Sequence, residues 1–306
     1  MRVLVIGGAG FLGRQIVGRL VAEGHVVHVP TRQFQHARPL LVHPTVTVME
    51  ANIHDDATLN HLVNGCDVVL NLIGILHSRA GQPFGPDFDL AHVQLPGRVA
   101  KACLAHGVKR LIHVSALGAD AQAPSGYLRS KAAGEQAIRQ AYAAANSDAY
   151  TIFRPSVVFG PEDQFMNMFA RLARFFPVLP IAGAEAKMQP VYVLDVAQAV
   201  LNTLGQPWAC GQTFELAGPR VYKLGELVEL AALWSGHPRP VIALPMSIGR
   251  MQAWFFERLP GQPLMSRDNL ASLSVDNIST EPMNPLLGIV PTALESIAPV
   301  YLKPTA

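Results

Sequence analysis

The first thirteen residues constrain everything that follows. Val3-Leu4-Val5-Ile6 is a short apolar run rich in β-branched residues, Gly7-Gly8-Ala9-Gly10-Phe11-Leu12-Gly13 follows directly, and an amphipathic stretch, Arg14 to Glu23, comes next. The order reads strand, glycine turn, helix. Such a turn needs glycine to reverse tightly, to approach a ligand closely and to let the helix pack on the strand. A pyrophosphate would then rest on the N–H groups of Phe11, Leu12 and Gly13, at the positive end of the helix dipole. Gly7, Gly10 and Gly13 give the spacing G-x-x-G-x-x-G. A glycine triplet alone is weak evidence; one lodged between a strand and a helix marks a dinucleotide site.

His25 to Val29 reads as a second strand, and its end bears on the choice of nucleotide. An NAD-binding unit carries Asp or Glu about 20 residues past the glycines to hold the ribose 2′-hydroxyl. Pro30-Thr31-Arg32 stands there instead, with no acid. Arg32 suits a 2′-phosphate, which favours NADP(H) over NAD(H); the alternative is a solvated surface arginine. Thr45 to Glu50 is a third strand, followed by Asn52 and Ile53 at the position expected to face the adenine. Asp55 and Asp56 then read as N-caps for a helix from Ala57 to Val63.

Cys66 to Gly74 is nearly continuous in apolar residues, as a strand buried on both faces must be. Asn71 and Gly74 fall near its carboxyl end, where open α/β sheets bind ligands. A helical pattern runs from Asp89 to His106, with Pro96 marking a kink or a late start. Arg110 to Ser115 is the fifth strand, in which His113 reads as a packed histidine. The alternation predicts an α/β Rossmann fold, a doubly wound parallel sheet with helices on both faces.

Gly126 opens a helix that continues to about Ala145. Tyr127 and Lys131 lie four apart, on one face. Lys131 is expected to lower the pKa of the Tyr127 phenol, which can then act as general acid or base on an alcohol or carbonyl. Ser115, twelve residues earlier at the sheet edge, can donate a hydrogen bond to the same oxygen. The alternative for Lys131 is a solvated pair with Glu135.

Composition excludes several other classes. The chain has 306 residues, half hydrophobic and 15% charged, with a net charge of +2. Arg and Lys are scattered with no basic stripe, so no nucleic-acid partner is expected. Cys66, Cys103 and Cys210 lie far apart with no C-x-x-C, so no metal is expected and a reducing compartment fits. Met1-Arg2 leads straight into the first strand, which predicts a cytoplasmic protein. No stretch reaches the roughly 18 apolar residues of a spanning helix.

Gly7-x-x-Gly10-x-x-Gly13, Ser115, Tyr127-x-x-x-Lys131, Arg154-Pro155-Ser156-Val157-Val158-Phe159-Gly160-Pro161 and Val191-Tyr192-Val193-Leu194-Asp195-Val196-Ala197 resemble, in that order, the extended short-chain dehydrogenase/reductase superfamily. Val29-Pro30-Thr31-Arg32, His113 to Ala119 and Leu259-Pro260-Gly261-Gln262-Pro263-Leu264 are similar to one branch. It is the family of the nucleotide-binding accessory subunit of respiratory complex I, alpha subcomplex subunit nine, with its bacterial relatives.

The superfamily resemblance implies catalytic roles for Ser115, Tyr127 and Lys131 on an unknown small-molecule substrate. It also implies that Tyr127 and Lys131 hold the nicotinamide ribose and that Pro155 and Val157 lie beside the nicotinamide. The branch implies an alternative, since its complex I member holds NADPH without known turnover: a non-catalytic, cofactor-holding accessory protein of a respiratory or quinone-related system. One departure stands out. Extended members carry an asparagine on the helix after the fourth strand, where this chain has Ala91-His92-Val93. His92 could substitute or simply pack the helix.

The resemblance divides the chain into a nucleotide-binding domain, residues 1–160 and about 189–205, and a smaller α+β substrate or partner domain, about 161–188 and 206–306. Asp195 reads as a helix cap and the proline-rich tail from Ser279 as irregular structure. In 244–259, Ile248, Met251, Trp254 and Phe255 form one apolar stripe while Arg250, Glu257 and Arg258 stay polar. The ordinary expectation is a helix packed on its own domain. The other is peripheral contact with the inner face of a membrane or with a respiratory assembly.

Overall fold

The computed structural model describes residues 1–258, 261 and 265–303. Most of Leu259 to Leu264, the last residue of the 244–259 stripe and Pro304 lie outside the described residues. Seven parallel strands form the central sheet: β1 (Arg2–Ile6), β2 (Val26–Thr31), β3 (Val46–Glu50), β4 (Val68–Asn71), β5 (Arg110–Val114), β6 (Tyr150–Pro155) and β11 (Gln212–Leu216), in the order β11-β6-β5-β4-β1-β2-β3. Strand β11 closes the edge beside β6, although the sequence division placed it in the second domain.

Alternate side chains of β1 feed opposite layers. Val3 and Val5 pack with Ile16, Val17 and Leu20 of α1 (Phe11–Ala22) and with Val196 and Val200 of α7 (Val193–Thr203). Leu4 and Ile6 pack with α2 (Asp56–Val63), α4 (Leu95–Ala105) and α5 (Gly126–Ala144). A strand buried on both faces is nearly continuous in apolar residues, and that is why Val3–Ile6 of β1 and Val68–Leu70 of β4 read as apolar runs, with Asn71 closing β4. The helix expected from Asp89 is longer and interrupted: α3 (Pro86–Phe88) enters a π turn, Asp89–Gln94, that continues into α4, where Pro96 sits near the start.

The remaining elements build a smaller region. They are β7 (Val158–Phe159), α6 (Phe165–Phe175), β8 (Leu179–Ala182), β9 (Lys187–Met188), β10 (Val191–Tyr192), β12 (Tyr222–Lys223), α8 (Leu224–Trp234), β13 (Val241–Leu244), α9 (Met246–Phe256), α10 (Arg267–Ser272) and α11 (Leu294–Leu302). Its core joins Met166 and Phe169 to Leu227, Val228, Leu294 and Ala298. The tail therefore carries helix α11, despite Pro299, because that apolar face packs on α8 and α6.

Asp55 caps α2, accepting from Thr58 N–H, whereas Asp56 pairs with Arg98. Tyr192 holds the cap position of α7; Asp195 lies one turn inside and tethers the tail through Thr292 N–H at 2.7 Å. Helix α9 packs on its own domain, but through Gly249 against Ala182 and Ala253 beside Leu270 rather than through its apolar stripe. Its stripe faces outward, with Met251 65%, Phe255 56%, Trp254 45% and Ile248 40% exposed. No helix among the described residues is long and apolar enough to cross a membrane.

Candidate functional site

Gly7 adopts φ +87°, and its carbonyl accepts from Gly10 N–H, so the turn closes on itself. A Cβ on Gly13 would lie 2.3 Å from the Gly7 carbonyl oxygen, which only glycine avoids. Gly10 begins α1 without a side-chain cap and no acid stands in the first turn. The N–H groups of Phe11, Leu12 and Gly13 are therefore left for an anion, as a pyrophosphate site requires.

Arg32 follows β2 directly and is exposed, and its charge helps lower the pKa of His54, behind desolvation and Arg98. This sets Arg32 near the loop after β3. In that loop Asn52 uses its side-chain oxygen to accept from His54 N–H, and Ile53 is buried in the core. Asn71 is fully buried; its amide meets His113 Nδ1 at 3.3 Å and its oxygen accepts from Ile73 N–H. The side chain expected to face the nucleotide thus supports the loop after β4 from beneath. Gly74 stands on that loop, and a Cβ there would lie 3.4 Å from Lys131 Nζ.

The elements bring Lys131 and Ser115 together at the carboxyl edge of the sheet. Lys131 is 3% exposed, and Nζ donates to the carbonyls of Val114 at 3.1 Å and Ile73 at 3.3 Å. Ser115 follows Val114 directly, and its buried hydroxyl has no partner among the described residues. A buried orphan hydroxyl costs free energy, so its retention at a ligand-facing edge has a functional reason. Lys131 does not pair with Glu135, which is wholly buried and engaged by Arg139 and Arg154.

One expectation about charge changes. Burial pushes the Lys131 ammonium down to about 8, partly opposed by Glu135. Burial also pushes the Tyr127 phenol up to about 12, while the Lys131 ammonium is bonded to the Ile73 and Val114 carbonyls.

Two groups invisible in the local pattern, and one that the sequence singles out, complete the site. Asp268, at the start of α10, accepts from Gly126 N–H at 2.6 Å and Tyr127 N–H at 3.0 Å, capping the helix from far along the chain. Asn277 accepts from Val157 N–H at 3.2 Å and Ser156 Oγ–H at 2.6 Å, so the amide of Val157 is already engaged just past Pro155. His92, left between packing and substitution by the sequence, bonds both Ser130 and Ile75. Asp268 and Asn277 carry no sequence signal, since their partners lie more than a hundred residues away.

Comparison with known proteins gives three results. The sequence pattern of the NAD dependent epimerase/dehydratase family matches residues 3–217. Among curated proteins, the chain is 33% identical over 299 residues to the mitochondrial NADH dehydrogenase [ubiquinone] 1 alpha subcomplex subunit 9 of Mus musculus, covering 95% of this chain and 77% of that one. It is 28% identical to the 2-alkyl-3-oxoalkanoate reductase of Stenotrophomonas maltophilia, covering 95% of each. Among solved structures, the UDP-glucuronic acid 4-epimerase from Bacillus cereus superimposes with a TM-score of 0.74 at 18% identity over 99% of each chain.

Proposed function

The chain belongs to the NAD dependent epimerase/dehydratase family, and from that premise we propose that it is an NADP(H)-dependent oxidoreductase or epimerase acting on an alcohol or carbonyl. One observation carries this reading: the unpartnered Ser115 hydroxyl and the buried Lys131 ammonium share the carboxyl edge of the sheet with the uncapped start of α1. Gly7, Gly10, Phe11, Leu12 and Gly13 would hold the pyrophosphate. Arg32, with no acid at residues 30–32, would hold a 2′-phosphate. The nicotinamide, when bound, supplies or takes up hydride.

In the reducing direction Tyr127 donates its phenolic proton to the carbonyl oxygen as the carbon gains hydride, and Ser115 Oγ–H donates a hydrogen bond to that oxygen. Once Tyr127 gives up its proton, the Lys131 ammonium, four residues along the same helix face, would be the cation available to the phenolate, and it would also hold the ribose. The relative named as a 2-alkyl-3-oxoalkanoate reductase supports a ketone of an oxoalkanoate type as substrate.

A second reading has its own support: a cofactor-holding accessory protein at the inner face of a membrane, in contact with it or with a respiratory assembly through 244–259. The relative named as an NADH dehydrogenase subunit and the outward stripe of α9, with Arg250 and Arg258 beside it, favour this reading. Nucleotide exchange separates the two. Exchange of co-purified nucleotide within seconds supports turnover; retention for hours supports the accessory role. Sedimentation with anionic vesicles tests the stripe, and Trp254→Glu that still sediments would remove it from any membrane contact.

A further inference from the structure

The π turn before α4 carries His92, whose ring is held on every side and is 1% exposed. The amide of Ile75 donates to Nε2 at 3.0 Å. An amide N–H can only donate, so Nε2 carries no proton and the neutral ring holds its proton on Nδ1. Nδ1 lies 2.9 Å from Ser130 Oγ, and that hydroxyl donates onward to the Tyr127 carbonyl at 2.7 Å. The chain of donors runs one way, from Nδ1–H to Ser130 and from Ser130 to the Tyr127 carbonyl. Phe88 stacks on the ring at 5.3 Å and Tyr127 meets it edge-on at 5.6 Å. The carbonyl of His92 presses on α5 as well, because a Cβ on Gly134 would lie 1.9 Å from it. Ser130 and Gly134, one helical turn apart, form a notch for both ends of His92.

The loop after β4 is pinned by the same residue. Ile73 accepts from Lys131 at 3.3 Å, and two residues on, Ile75 is fixed by His92. This loop also borders the glycine turn, since a Cβ on Gly7 would meet Leu72 at 3.3 Å. We infer that His92 is a positioning residue: as a neutral Nδ1–H imidazole it latches the loop Ile73–Ile75 to the helix bearing Tyr127 and Lys131, and it relays no proton. Burial, the Lys131 ammonium and His113 all disfavour the imidazolium. The consequence for turnover rests on the catalytic reading; the latch itself does not.

The test is a long-range ¹H–¹⁵N spectrum of the full chain labelled at histidine, from about pH 5 to about pH 9. His92 is identified by the signals lost in His92→Gln. Protonated Nδ1 and bare Nε2 are expected throughout. An Nε2–H tautomer, or titration within that range, overturns the inference.

NADPH affinity gives the second readout. His92→Phe keeps the ring volume and loses both bonds, with about fivefold weaker binding expected. His92→Gln puts an acceptor where Nε2 stood and should stay within about twofold of the unaltered protein. No loss in His92→Phe, or equal loss in both variants, overturns the latch. Slow nucleotide exchange without turnover would sink the catalytic reading and leave the latch standing.

Discussion

Replacing Lys131 by Met is predicted to raise stability at neutral pH. The ammonium is buried, and its pKa falls from 10.5 to about 8. Folding therefore disfavours the proton. The penalty is full below about pH 8, shrinks as pH climbs and is gone above the unfolded value near 10.5, so the unaltered protein gains stability across that window. A fall of this size is worth roughly 3 kcal/mol at about pH 7 and roughly 1 kcal/mol at about pH 10. Loss of the bonds to the Ile73 and Val114 carbonyls offsets the gain by about 1 kcal/mol each, equally at both pH values. The variant should thus exceed the unaltered protein by about 1 kcal/mol at about pH 7 and fall below it at about pH 10. Urea melts of both proteins at the two pH values measure this. Other titrating tyrosines and cysteines are common to both proteins and cancel. A stability difference that does not change with pH would refute the burial argument, and a lysine retained for stability would show no such crossing.

Tyr127→Phe should abolish any turnover while leaving NADPH affinity within about twofold, since the phenol makes the proton transfer and only part of the ribose contact; activity assays against calorimetric binding decide it. Arg32→Ala should weaken NADPH by at least about 1 kcal/mol and leave NADH unchanged, and parallel titrations that show equal losses would assign Arg32 to the solvated surface. Gly13→Ala should destabilise the chain by about 3 kcal/mol or more, because its Cβ falls onto the Gly7 carbonyl; a thermal melt that is unchanged would contradict the turn geometry.

The parts of the site legible in the sequence are those whose chemistry is local. The glycine turn, the Tyr127 and Lys131 spacing and Ser115 at the end of β5 each depend on residues within one strand, turn or helix, where period and spacing carry the information. The pairing of Lys131 is not legible, because it is decided by carbonyls from two separate segments, Val114 at the end of β5 and Ile73 on the loop after β4. Asp268 and Asn277 were hidden for the same reason. Each reaches the site from more than a hundred residues away, through a contact that no sequence window contains.

Helix α9 shows the limit most plainly. Periodicity located an apolar stripe correctly, yet the rule that the stripe faces the core failed. The reason is steric. A Cβ on Gly249 would lie 2.3 Å from the Ala182 Cβ, and Ala253 is fully buried beside Leu270, so the helix seats its small residues inward at close range. Ile248, Met251, Trp254 and Phe255 are too large for that approach and are carried outward on the opposite arc. The helix axis is thus set by the close contact, and the large side chains take whichever face remains. An exposed stripe of this kind persists only where something covers it or tolerates it. Arg250 lies on this helix and Arg258 just past its end, 3.6 Å over the Trp254 ring, and these are the cations that the proposed contact with an anionic membrane would use. Glu257, the acid beside them, is drawn back to Arg267 at 2.8 Å and leaves the outward face basic.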